Sequence, residues 1–400
     1  MATSEARPWP GPVALAFRGY NTTNLGRSQE LLAHPVYGPT VRSTLLRASH
    51  VASDCVHRRI DLVERVEAGQ ETDLASFEDA VALVLAMEVA QLRLAETYFG
   101  LRWDTAKLSF GYSLGEIGAL IAGGVFAWED ALRIPLAVAA DCAALAEGAT
   151  MGVVFARRAP LDLRQIERLC LEINQRGHGV IGISAQLAPN TVLVMGQGDT
   201  VDRLGDGLVA SSARQIHLRK NHEQWPPLHT PLVWQRHIPN RAAELMHTLP
   251  GGLVAPHPPV LSLVTGKKSY TATNCRDLLH QWIDHPQRLW DAVYATLSSG
   301  IETVVHIGPA PNLIPATFRR LADNVLATAN SGRLNSLGVR AIAGLVRRPW
   351  LGQVLPSQAA LARAPYMQHI VLEDWLLAQT LEDSGAHGRT NGASTRTGAV

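Results

Sequence analysis

The chain has 400 residues, a formal net charge of +1 and 46% hydrophobic residues. This length allows one large domain with an insertion or two domains, and the composition allows a sizeable core. The near-zero charge argues against nucleic-acid binding and against a polybasic membrane anchor. The four cysteines are scattered without a CxxC pair, which predicts neither a zinc site nor a disulfide framework. Because no apolar run is typical of a signal peptide or a membrane span, we predict a cytoplasmic protein.

The first part of the chain has the pattern of buried strands that alternate with amphipathic helices. Strands are predicted over residues 13–17 and 103–110, and helices over residues 76–98, from Glu116 onward and over 128–147. Pro135 lies within the last of these, so that helix must either kink there or contain the proline in its first turn.

The pattern changes after residue 148. Strands are predicted over residues 151–156, 180–186, 191–195 and 214–218, and helices over residues 161–175 and 199–208. This βαββαβ order is the plan of a ferredoxin-like subdomain. Two further buried strands are predicted over residues 260–264 and 303–307.

The strongest chemical signal is the pentapeptide GYSLG, residues 111–115, between a predicted strand and a predicted helix. A GxSxG turn at this position exposes the serine hydroxyl above the carboxyl ends of the strands. The helix that follows favours negative charge at its N-terminus, which suits a developing oxyanion. Ser113 is therefore a candidate nucleophile, and the alternative is a glycine-rich turn with a capping serine.

Longer motifs extend this signal: SLGE starts at Ser113, AL at Ala119, AGGV at Ala122 and EDALR at Glu129. Together they resemble the malonyl-CoA:acyl-carrier-protein transacylase family, which loads acyl carrier proteins and has the familiar form GHSLGE. The resemblance extends from about residue 13 to about residue 321. It implies a fold of the α/β class, with an α/β-hydrolase-like parallel-sheet core and an inserted ferredoxin-like subdomain.

The resemblance also implies a catalytic histidine after the small subdomain, held by a main-chain carbonyl group. The segment PPLHTPL makes His229 the candidate, with His222 and His237 as competitors. Gln281 resembles the residue whose main-chain carbonyl orients this histidine. The backbone N–H groups of Leu114 and Tyr20 are the expected oxyanion donors, although Tyr20 lies in FRGYN where the family has FPGQG.

Two departures from the family concern the acyl group. Tyr112 stands where histidine is usual, at a position that lines the acyl site. Val138 stands where malonyl-specific members have an arginine that binds the malonyl carboxylate, and valine cannot replace a guanidinium–carboxylate pair. Either another arginine such as Arg18 or Arg157 substitutes, or the acyl group is uncharged.

The predicted function is therefore acyl transfer from CoA to an acyl carrier protein through an acyl-serine intermediate. The resemblance implies malonyl as the default acyl group, and fatty acid or polyketide synthesis as the pathway. Acyl-CoA is a substrate, and neither a metal nor a bound cofactor is implied. The alternatives are an acyl-thioester hydrolase on the same scaffold and an inactive interaction module. A lipase-like esterase fits least, because no acidic residue in a Ser–Asp–His order is evident.

The predicted domain organisation has three parts and a tail. Residues 12–148 and 219–323 form the acyltransferase core, and residues 149–218 form the small subdomain. Residues 324–382 form a C-terminal extension that is rich in arginine from Arg333 to Arg363. These arginines would bind an acidic carrier protein or a CoA phosphate; the alternative is an ordinary solvated surface. Residues 383–400 are predicted to be a disordered tail because they are rich in Gly, Ser, Thr and Asn.

Overall fold

The computed structural model describes residue 9 and residues 11–157, 159–210, 216–330 and 357–379. Its strands are β1 (Val13–Phe17), β2 (Leu108–Gly111), β3 (Ala149–Ala156), β4 (Ile181–Ala188), β5 (Thr191–Gln197), β6 (Ile216–Lys220), β7 (Thr303–Ile307) and β8 (Gln368–Val371). Its helices are α1 (Ser28–Ala33), α2 (Gly38–Val56), α3 (Leu62–Glu67), α4 (Phe77–Phe99), α5 (Leu114–Ala122), α6 (Trp128–Ala146), α7 (Leu163–Gln175), α8 (Thr200–Ala210), α9 (Ile238–Thr248), α10 (Cys275–Gln281), α11 (Leu289–Ser298), α12 (Leu313–Asn330), α13 (Ser357–Leu361) and α14 (Leu372–Ala378).

The larger unit is built around a parallel sheet with the strand order β2-β1-β7-β8. Every residue of β1 and of β7 is buried, as expected for parallel strands that helices cover on both faces. One face is covered by α4 and α5, with α2 and α6 packed behind α4, and the other is covered by α11 and α12. Phe17 at the end of β1 pairs with Gly111 at the end of β2, so the nucleophile turn lies at the carboxyl edge of the sheet.

The smaller unit is the predicted βαββαβ subdomain. Its antiparallel sheet has the order β4-β5-β3-β6, and α7 and α8 cover one face with a separate apolar core. The other face, which includes Met151 and Met195, turns toward the nucleophile turn and lines a cavity there. The α/β class and the ferredoxin-like plan are both confirmed, apart from residues 214 and 215, which lie outside the described residues.

One strand prediction is wrong, and another is wrong in where the strand begins. Residues 260–264 form two isolated bridges, from Val260 to Ser109 and from Ser262 to Lys267, instead of a strand. The chain turns at once, because the Ser262 hydroxyl accepts the N–H of Val264 at 3.1 Å and so competes with the ladder. The strand predicted over residues 103–110 begins only at Leu108, after a 3₁₀ turn over Trp103–Thr105. Pro135 lies inside α6 and not in its first turn.

The described part of the predicted C-terminal extension, residues 324–330 and 357–379, packs against the core. The helix α12 continues through the predicted boundary at residue 323, and β8 adds a fourth parallel strand to the sheet. The buried side chain of Arg363 donates to the main-chain carbonyls of Leu297 and Ile301, which ties this segment to the end of α11. The predicted tail, residues 383–400, and four of the arginines lie outside the described residues (Arg333, Arg340, Arg347 and Arg348).

Candidate active site

Ser113 occupies the strained turn between β2 and α5. Its backbone has φ 53° and ψ −119°, a conformation that an L-residue adopts only where its surroundings enforce it. A Cβ atom at Gly111 would collide with the carbonyl oxygen of Gly115, and one at Gly115 would collide with that of Phe17. The two glycines therefore allow the turn to pack against the end of β1, as the GxSxG pattern predicts.

His229 is the histidine that the structure brings to Ser113. Its Nε2 atom lies 2.8 Å from the Ser113 Oγ atom, and its ring is buried. Its own backbone has φ 67°, and its N–H donates to the carbonyl of Ile283 at 2.7 Å. The competitors His222 and His237 are both exposed. The sequence-based choice of His229 therefore agrees with the geometry.

The tautomer of His229 follows from its second contact. The Nδ1 atom lies 2.6 Å from the main-chain carbonyl oxygen of Trp282, which can only accept a hydrogen bond. Nδ1 must therefore carry the proton, and Nε2 is left with a lone pair that faces Ser113. Burial lowers the pKa of His229 to about 4, although the Trp282 hydrogen bond opposes this shift. The ring is thus a neutral base at neutral pH.

The carbonyl at Nδ1 belongs to Trp282, so the prediction of Gln281 is wrong by one residue. The helix α10 ends at Gln281, and the carbonyl of Gln281 already accepts the N–H of His285 at 3.0 Å. The carbonyl of Trp282 lies beyond the helix and is free to accept from His229. Gln281 itself is exposed.

Trp282 also holds the nucleophile. Its indole N–H donates to the main-chain carbonyl of Ser113 at 2.8 Å, and its ring packs edge-on against His229 with 5.3 Å between centroids. The side chain is 1% exposed, so solvent does not compete for this hydrogen bond. One residue thus fixes both members of the pair, and no sequence pattern indicated this second contact.

Gln287 is a further contact that the sequence did not reveal. Its side-chain Oε1 accepts the N–H of Ser113 at 3.2 Å, and the residue is fully buried. Its backbone joins β4 through hydrogen bonds of 2.8 Å with Ser184 and Gln186. Gln287 therefore links the small sheet to the nucleophile turn. A lone glutamine has no pattern that would have indicated this role.

The role of Leu114 and Tyr20 as oxyanion donors stays a prediction. Leu114 is the first residue of α5, and the first N–H groups of a helix have no intrahelical acceptor. Tyr20 lines the space around Ser113 from the loop after β1. Its ring packs edge-on against Phe77 and Trp225, with centroid distances of 4.8 Å and 6.0 Å.

Two spaces adjoin Ser113. A cavity of about 430 Å³ lies between the two units, and Tyr112 lines it. A smaller void of about 20 Å³ also adjoins Ser113, and the buried side chain of Val138 lines it. The two predicted substrate-lining residues therefore line different spaces beside the serine. Arg18 lines the larger cavity, whereas Arg157 is exposed on the small unit.

Neither a metal site nor a membrane span is found in the part of the chain that the structure describes. No three histidine, cysteine, aspartate or glutamate side chains there are close enough together to hold a metal ion. None of the helices there is long and apolar enough to cross a membrane.

The contact between the Trp282 indole and Ser113 predicts that Trp282→Phe lowers the reactivity of Ser113. This variant keeps the main-chain carbonyl of residue 282, which accepts the hydrogen bond from His229. Loss of one buried hydrogen bond costs about 1–2 kcal/mol, so labelling of Ser113 by diisopropyl fluorophosphate should slow about tenfold. Trp103→Phe is a matched control, because it removes an indole hydrogen bond of 3.1 Å to the carbonyl of Ala122, at the far end of α5. Equal labelling rates in both variants would contradict the role of Trp282.

The lowered pKa of His229 predicts an unusual pH profile for the same labelling reaction. The base must be neutral to accept a proton. Because the pKa of His229 is about 4 instead of the value near 6.5 of an exposed histidine, its neutral form predominates at any pH above about 4. The labelling rate should therefore stay constant as the pH falls from 8 to about 5 and decrease only below that. Circular dichroism at each pH checks that the chain remains folded. A midpoint near pH 6.5 would contradict the assignment.

No family model matches the chain. The chain is 26% identical over 319 residues to the malonyl CoA-acyl carrier protein transacylase of Salmonella typhimurium, a match that covers 79% of this chain and 94% of the relative. It is 25% identical over 358 residues to the spectinabilin polyketide synthase system protein NorB of Streptomyces orinoci. That match covers 83% of this chain but only 15% of NorB.

Solved structures agree with this relationship. The malonyl-CoA:acyl carrier protein transacylase of Xanthomonas oryzae pv. oryzae has a TM-score of 0.62 and 26% identity, over 78% of this chain and 91% of its own. A type II polyketide synthase malonyl-transacylase, solved in complex with its acyl-carrier protein, has a TM-score of 0.60 and 25% identity, over 77% of this chain and 92% of its own. In sequence and in fold, the chain is related to the malonyl-CoA:acyl-carrier-protein transacylase family.

Proposed function

We propose that this protein transfers an acyl group from CoA to the phosphopantetheine thiol of an acyl carrier protein through an ester on Ser113. The observation that carries the proposal is the 2.8 Å contact between Ser113 Oγ and the buried, neutral His229 Nε2. Relatives named as malonyl CoA-acyl carrier protein transacylases, and a structural neighbour solved with its carrier, support transfer to a carrier protein.

The first half-reaction forms the ester. His229 Nε2 accepts the proton of Ser113 as Oγ attacks the thioester carbon, and the carbonyl oxygen becomes an oxyanion. The N–H groups of Leu114 and Tyr20 would stabilise that charge. The carbon–sulfur bond then breaks, and the CoA sulfur leaves as a thiol with the proton from Nε2. No cofactor takes part in this proposal, since acyl-CoA is itself the substrate.

The second half-reaction reverses these steps with another thiol. The phosphopantetheine thiol gives its proton to His229 Nε2 and attacks the ester carbon. A carbon–sulfur bond forms, the bond to Ser113 Oγ breaks, and Oγ recovers its proton from Nε2. The neutral ring is the form that both half-reactions require at their start. The acyl group is malonyl by the resemblance, whereas Val138 favours an uncharged group.

Mass spectrometry of the intact protein tests this proposal. Wild type, Ser113→Ala and the distant control Ser298→Ala are incubated with malonyl-CoA or acetyl-CoA and then with a phosphopantetheinylated carrier protein. Wild type and Ser298→Ala should gain the mass of one acyl group and pass it to the carrier, because both retain the nucleophile. Ser113→Ala should gain none.

Two other outcomes would overturn the proposal. An acyl group that forms on Ser113 but is lost only to water would indicate an acyl-thioester hydrolase. A chain that gains no acyl group from any acyl-CoA would indicate an inactive interaction module.

A further inference from the structure

The space beside Val138 offers no charge to a substrate. This void lies between Ser113 and α6, and at about 20 Å³ it holds little more than one water molecule. The described residues that line it are all uncharged, and they include the buried side chains of Phe77, Val81 and Cys142. A negatively charged group placed there would lose its hydration without gaining a partner.

The larger cavity is also almost free of charge. Of the described side chains that line it, Arg18 is the one that is permanently charged. The small sheet contributes an apolar wall opposite the nucleophile turn, which is made of Met151, Leu187, Leu193 and Met195. A cavity of about 430 Å³ with such walls favours an aliphatic group over an ionised one.

The guanidinium of Arg18 is already occupied by the protein. It donates to the carbonyl of Gly19 at 2.7 Å, the carbonyl of Thr23 at 3.2 Å and the Asn24 side chain at 2.8 Å, and it also contacts the carbonyl of Pro309. The side chain is 4% exposed. A bidentate pair with a substrate carboxylate needs two free N–H groups on one edge of the guanidinium. Four of its five N–H groups are engaged, so Arg18 cannot form that pair without losing internal bonds.

The two histidines that line the larger cavity provide no positive charge either. His229 is committed to Ser113 and Trp282 through its two ring nitrogens. The Nε2 atom of His306 lies 2.9 Å from the Nδ1 atom of His369 on the neighbouring strand β8. Burial lowers the pKa of His306 to about 3, so its ring is neutral at neutral pH.

From these contacts, and on the basis of the proposed acyl transfer, we infer that the acyl group accepted by Ser113 is uncharged. A carboxylate on the acyl chain would be buried beside Ser113 without a counter-charge from any of the described lining residues, whereas an aliphatic or ketone group would meet apolar walls. The substrate class is therefore an acyl-CoA without a second carboxylate.

Acylation rates of the wild-type chain test the inference. Malonyl-CoA and acetoacetyl-CoA are close in size, since a methyl group in the second replaces a carboxylate oxygen in the first. Butanoyl-CoA provides an uncharged chain without the ketone. The mass gain on Ser113 should develop at least about 30-fold faster with both uncharged substrates than with malonyl-CoA, because a buried unpaired carboxylate is strongly disfavoured.

A variant that supplies the missing charge tests the physical cause. Val138→Arg places a cation at the void, and Val138→Gln is a shorter, polar control without charge. In folded protein, checked by circular dichroism, malonyl transfer to Ser113 should be about tenfold faster in Val138→Arg than in Val138→Gln. Equal malonyl rates in the two folded variants would contradict the claim that a missing cation excludes the carboxylate.

The wild-type comparison tests the inference even if neither variant folds. Faster or equal acylation by malonyl-CoA would overturn this inference but leave the proposed acyl transfer intact. No acylation of Ser113 by any of the three acyl-CoA substrates would overturn the proposed acyl transfer as well.

Discussion

The arrangement of the site depends on how the backbone just beyond α10 meets the nucleophile turn. Trp282 donates its indole N–H to the carbonyl of Ser113, and its own carbonyl accepts a hydrogen bond from His229 Nδ1. Because one residue makes both contacts, a shift of this segment moves nucleophile and base together. Gln287, five residues later, extends the same segment to the N–H of Ser113 and to β4. The loop between α10 and α11 therefore couples the two units to the reacting hydroxyl.

Burial has two consequences at this site. It keeps His229 neutral, because an imidazolium ion would lose its hydration, and the Trp282 hydrogen bond and the negative charge of Asp284 offset only part of that loss. It also disfavours a charged group of the substrate near Ser113, unless the protein provides a group of opposite charge. The same low dielectric strengthens the fixed dipoles at the N-terminus of α5, which favours a developing oxyanion. The apolar environment thus suits acyl transfer in general and an uncharged acyl group in particular.

The sequence predicted the features that depend on local pattern. The glycines around Ser113 and the alternation within the small unit have local causes, so Ser113 and the βαββαβ order could be found. His229 was found through its motif. Contacts that depend on the course of the backbone in three dimensions were missed. Whether Trp282 or Gln281 holds His229 depends on where α10 ends, and the role of Gln287 depends on its pairing with β4. The strand β8 was missed because QHIV is short and half polar, and only pairing with β7 makes it a strand.

Isotope exchange between CoA and acyl-CoA in the absence of any carrier protein tests the central claim, which is an acyl ester on Ser113. Wild type is mixed with unlabelled butanoyl-CoA and deuterium-labelled CoA, and Ser113→Ala serves as the control. If the acyl group stays on Ser113 after CoA leaves, wild type should return it to labelled CoA and produce labelled butanoyl-CoA, whereas Ser113→Ala should not. Label that appears only when a carrier protein is added, or appears equally in both proteins, would contradict the acyl-serine mechanism.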